Sequence, residues 1–165
     1  MEKELRKRQN MLSEAGKGVV LFAVWGIAKV NLFFGLSTFL TVEEIYAAAA
    51  EVGISEKLFL GFILAIAAAI LIWQLGARLY IGMSASAEGK GKTKGYRYLV
   101  LAVVLLVTDI QTAWQAFGED VILAGEEISA SFISGFCVEL ASVYVLLELL
   151  ISGICVKRLR NKMKV

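Results

Sequence analysis

Five ionisable side chains stand inside otherwise apolar stretches of this sequence: Lys29, Arg78, Asp109, Glu139 and Glu148. A charge in such surroundings costs several kcal/mol unless it is neutralised, so it marks either an internal ion pair or a path for ions or protons. Lys29 follows Lys17 by the same spacing, twelve positions, as Asp109 follows Arg97. At the rise of a helix both sit about 18 Å from a basic boundary, just past the middle of a hydrocarbon core of about 30 Å. Opposite charges at matching depth predict a Lys29–Asp109 pair. Glu148, nine positions inside Lys157, is about 13 Å deep, whereas Glu139 is about 27 Å from the same end. The two glutamates are themselves nine positions apart, about two and a half turns, so they face opposite sides of one helix and form no carboxylate dyad within the chain. Glu148 is then a second partner for Lys29 or Arg78, or is carried as the neutral acid. Arg78 is close enough to the basic end of its segment either to snorkel or to pair with Glu148.

Uncharged polar residues add to this set. Thr108, Gln111, Thr112 and Gln115 fall on one face of a helix with Asp109 at its edge. Asn31 and Gln74, from two other apolar segments, can meet that stripe. Interhelical hydrogen bonding is one use for such residues, and the lining of a polar path is the other. Asn31, two positions from Lys29, points to the far side of its helix. Small residues at every fourth position, Gly61, Ala65 and Ala69, then Ser131 and Gly135, suit close helix packing.

Other chemistry is missing. There is no histidine, no C-x-x-C, no Gly-rich phosphate loop and no nucleophile–base set. Catalysis, a metal site and a cofactor are therefore not expected. Cys137 and Cys155 occupy opposite ends of one apolar segment. On a continuous helix their separation is about 27 Å, far beyond disulfide reach, so both read as buried apolar thiols.

The elements that must position these residues follow from composition. The 165-residue chain is 58% hydrophobic with a mean hydropathy of +0.71, against roughly 45–50% apolar content in soluble domains. Four segments reach the roughly 20 apolar residues that a membrane crossing needs. They are residues 18–40, 58–81, 98–117 and 128–156. The first apolar run is too long for the core of a signal peptide.

Charge decides the orientation. The N-terminal segment up to Lys17, a Gly, Ser and Lys-rich loop at 84–97 and a tail at 157–165 are basic. The intervening connections carry Glu43, Glu44, Glu51 and Glu56, then Glu119, Asp120, Glu126 and Glu127, with Lys57 as their only base. Basic and acidic sides alternate at every crossing, so the positive-inside rule predicts both termini in the cytoplasm. An inner, cytoplasmic membrane suits that arrangement.

Thr41-Val42-Glu43-Glu44 fits a capping box, Gly53 a helix stop and Ser55 an N-cap. A short extracytoplasmic surface helix is thus expected over about 42–52. The loop at 84–97 should be a flexible linker. Lys157, Arg158, Arg160, Lys162 and Lys164 directly follow a span, which predicts contact with anionic lipid headgroups rather than nucleic acid.

The expected fold is an all-α membrane protein, a four-helix antiparallel transmembrane bundle in a single domain. Two functions fit. One is a structural or accessory membrane subunit, in a homo-oligomer or larger complex, whose buried charges set helix packing. The other is a small oligomeric transporter or channel with a polar or proton-coupled path through Lys29, Asp109 and Glu148.

Overall fold

A computed structural model describes the backbone over residues 2–36, 50, 53, 55–117 and 130–163. Among the described residues the elements are helices: α1 (Glu2–Leu36), α2 (Glu56–Gly89), α3 (Arg97–Phe117) and α4 (Ala130–Met163). Three segments, Lys57–Gly89, Arg97–Trp114 and Gly135–Met163, are long and apolar enough to cross a membrane. The expected surface helix at 42–52 and the connection at 118–127 lie outside the described residues, apart from Ala50. Gly53 adopts φ +70° and its amide donates to the Ala50 carbonyl at 3.2 Å, the geometry of a left-handed helix stop. Ser55 immediately precedes α2, and its carbonyl accepts from the amides of Leu58 and Phe59.

The helices run further than hydropathy alone predicts. α1 begins at Glu2 rather than near Gly18, and its first turns carry Glu2–Arg6 and Glu4–Arg8 ion pairs at i,i+4. Leu12, Ala15, Val19 and Ala23 are buried on one stripe, the three- and four-position spacing of an amphipathic helix face. α2 continues past Ile81 to Gly89, through residues expected to be a linker. Ala and Ser do not break a helix when packing supports it, and Ser84, Ala85 and Glu88 are buried. The helix is closed by Gly91 at φ +93°. The Gly91 amide donates to the Glu88 carbonyl and the Lys92 amide to that of Ala87, which together make a Schellman cap.

The chain forms two compact units, Met1–Phe22 with Ala77–Val165, and Ala23–Gly76. The first contains parts of all four helices around a core of Leu12, Val19, Ile81, Tyr98, Leu105, Leu146, Leu149 and Val156. Within this unit α1 and α2 run antiparallel at backbone contact. A Cβ added to Gly82 would lie 2.6 Å from the Gly16 carbonyl oxygen, and one added to Gly89 would lie 2.6 Å from that of Gln9. Leu12, Leu99 and Gly153 meet at one level, with Gly18 against Val145 further along. The second unit holds the remainder of α1 and the first part of α2, where Leu58, Phe62, Leu64, Ile72 and Trp73 are exposed. The expected Gly61–Ala65–Ala69 packing stripe is exposed there, and a Cβ on Gly61 would meet nothing within 4 Å. Gly135 is likewise open. Close packing falls instead on Gly16, Gly82 and Gly89.

Candidate functional site

Two polar clusters are buried in the first unit. One joins α2, α3 and α4 through Arg78, Asp109 and Ser142. Arg78 Nη2 donates to both carboxylate oxygens of Asp109, at 2.7 and 2.8 Å. Its Nη1 donates to Ser142 Oγ at 2.8 Å, and the Ser142 hydroxyl donates to Asp109 Oδ2 at 2.9 Å. The side chains of Arg78 and Asp109 are only 13% and 7% exposed. The guanidinium suits this corner because its nitrogens diverge towards two acceptors on different helices. The triangle is closed, with each side chain bonded to the other two.

This arrangement corrects the expectation for Arg78, which holds Asp109. Lys29 and Asn31 lie on α1 within the second unit, and their side chains are outside the described residues. Leu12 is level with Leu99, so the α1 residue at the height of Asp109 is near Phe22. Arg78 neither snorkels nor pairs with Glu148, because α2 continues to Gly89 and places it about 15 Å inside Glu88.

The second cluster lies at the basic end of the unit. Glu88, 1% exposed, takes the Lys157 ammonium at 3.0–3.1 Å, Arg160 Nη1 at 3.4 Å and the Tyr98 hydroxyl at 2.7 Å. Lys157 also donates to the carbonyls of Lys94 and Gly95, and Arg160 to those of Lys92 and Glu88. The Lys157 ammonium stands 4.6 Å from the centroid of the Tyr96 ring. The segment expected to be a flexible linker is thus a short turn whose carbonyls are tied to α4. Lys157 and Arg160, expected at lipid headgroups, instead face inward as the counter-ions of Glu88.

The other candidates are placed as follows. Arg158 and Lys162 are exposed, and Lys164 lies outside the described residues. Thr108, Gln111, Thr112 and Gln74 are exposed, so the expected polar stripe does not face an interhelical seam; the side chain of Gln115 is outside the described residues. The two threonine hydroxyls donate to carbonyls of their own helix, those of Leu105 and Thr108, an arrangement open to any helical threonine. Glu139 and Glu148 are half-buried on α4. Cys137 and Cys155 are free thiols, the first exposed rather than buried as expected, the second half-buried.

Sequence reasoning missed Glu88, Tyr98 and Ser142. Glu88 had a signal, since it is the sole acid in the basic 84–97 segment. Spacing carried another: Lys157 and Arg160 are about 60° apart on a helix, and Arg158 and Lys162 about 40° apart on a different face. Ser142 carried none, as one more serine in an apolar helix. Comparisons with protein-family models, with curated proteins and with solved structures found no match to this chain.

Proposed function

We propose that this chain is an integral membrane protein of four spans with both termini cytoplasmic, and that it serves as a structural or accessory subunit. The observation that carries this reading is the closed Arg78–Asp109–Ser142 triangle. Its donors and acceptors satisfy one another across three helices, so these charges set helix register rather than standing open to a passing ion. The uncovered apolar flank of α2, with Phe62, Ile72 and Trp73 exposed, supports a surface for lipid or for a neighbouring subunit. The fourth span is the apolar part of α1, and the basic start of α1, the basic turn between α2 and α3 and the basic end of α4 support the orientation.

A transport reading keeps one observation in its favour. Glu148 is a half-buried carboxylate on a helix apolar enough to cross a membrane, with no polar partner among the described residues. Proton and cation flux into liposomes carrying the purified chain separates the two. The subunit reading expects flux no greater than in protein-free liposomes. Flux abolished by Glu148→Gln or Asp109→Asn would replace it with transport. Thiol labelling of cysteines placed at Asn161 and at Gly53 checks the orientation, with only the first reachable from the cytoplasm.

A further inference from the structure

The cations near the end of α4 differ in what they have left to bind. The three ammonium donors of Lys157 are taken by Glu88 and the carbonyls of Lys94 and Gly95. Arg160 is engaged with Glu88 and Lys92. Arg158 and Lys162, on the other face, are exposed, and no carboxylate partner for either is found among the described residues. They flank an open recess of about 470 Å³ lined by Tyr96, Ile154, Lys157, Arg158, Asn161 and Lys162. That volume falls within the roughly 300–1,000 Å³ of small-molecule clefts, room for a headgroup rather than a bare ion. Its chemistry is graded along the helix axis, from exposed Ile154 at the apolar side to Arg158, Asn161 and Lys162 beyond it. The wall contains no acid.

We propose that this recess binds the phosphate of an anionic phospholipid, with Arg158 and Lys162 as the charged donors, Asn161 as the neutral one and the acyl chain along Ile154. Lys157 forms the floor. It has no proton to offer the phosphate, but its charge sits beneath the site and holds the Tyr96 ring as a side wall. Lipid is favoured over a soluble anion because the cations lie within a few turns of an exposed isoleucine on a membrane-crossing helix, where both ends of a phospholipid are matched at once. The inference rests on the membrane reading above and sharpens it, since it excludes Lys157 and Arg160 from the headgroup contacts that their position in the basic tail suggests.

Native mass spectrometry of the full chain in detergent tests it, titrating phosphatidylglycerol and phosphatidylcholine of identical acyl chains. Wild type should retain phosphatidylglycerol preferentially. Arg158→Gln with Lys162→Gln should lower that preference about thirtyfold, the equivalent of ~2 kcal/mol for two interfacial cations, and each single change about fivefold. Lys3→Gln with Lys7→Gln, which removes as much charge from another exposed stretch, should leave it unchanged. Equal loss in that control, or no loss in the double variant, overturns the site. Displacement of the lipid by millimolar inorganic phosphate overturns lipid as the ligand. Alkaline carbonate extraction keeps the two levels apart: release of the chain from membranes defeats the membrane reading, whereas an integral chain without lipid preference defeats the site alone.

Discussion

Replacing Asp109 with leucine removes the acceptor of two hydrogen bonds from Arg78, at 2.7 and 2.8 Å, and of one from Ser142 at 2.9 Å. The guanidinium left behind is 13% exposed and keeps only the Ser142 hydroxyl as an acceptor among the partners described. Stranding a buried charge in this way costs about 3–5 kcal/mol. Replacing Arg78 with methionine strands the carboxylate and should cost a similar amount. The double replacement removes both charges together and fills their space with apolar groups, so its stability should return to within about 1 kcal/mol of wild type, or exceed it. The single effects taken independently would add up to roughly 6–10 kcal/mol, so the coupling expected between the two sites is nearly as large as that sum. The assay is reversible unfolding of the purified chain in mixed micelles with rising dodecyl sulfate, followed by tryptophan fluorescence, with Trp114 reporting from α3. If the double variant loses as much as the two singles combined, or if Asp109→Leu alone costs under about 1 kcal/mol, the pair is not what joins these helices.

The same assay reaches the rest of the bundle. Glu88→Gln should cost about 3 kcal/mol by leaving Lys157 and Arg160 without their carboxylate, and should raise hydrogen exchange at the amides of the 92–95 turn, where those cations hold the carbonyls of Lys92, Lys94 and Gly95. Tyr98→Phe removes a single bond to the carboxylate and should cost about 1.5 kcal/mol, with exchange in the turn little changed. Gly82→Ala puts a Cβ 2.6 Å from a backbone oxygen of α1 and should destabilise by about 1–3 kcal/mol. Gly61→Ala, with nothing within 4 Å, should be neutral or stabilise by up to about 1 kcal/mol through helix propensity; a loss at Gly61 as large as that at Gly82 would mean that a surface outside the chain packs there.

Some of this structure was legible in the chain alone, and some was not. Hydropathy found the segments of α2, α3 and α4 that can cross a membrane, because an apolar run of that length has few alternatives once water is excluded. Residue spacing separated the faces of α4 and put Cys137 and Cys155 beyond disulfide reach. Hydropathy could not find where the helices end, since a helix stops where its backbone groups are capped rather than where its side chains turn polar. Gly91 closes α2 well past Ile81, and α1 begins at Glu2, several turns before Gly18. Depth counted from a basic residue assumes that such residues stand at one level on every helix, whereas Leu12 rather than Lys17 is level with Leu99. Composition determined which side chains need a partner. Only the register of α2 against α3 and α4 decided that Asp109 meets Arg78 and that Lys157 meets Glu88. A change of one turn moves a side chain about 5.4 Å along its helix, more than the span of an ion pair.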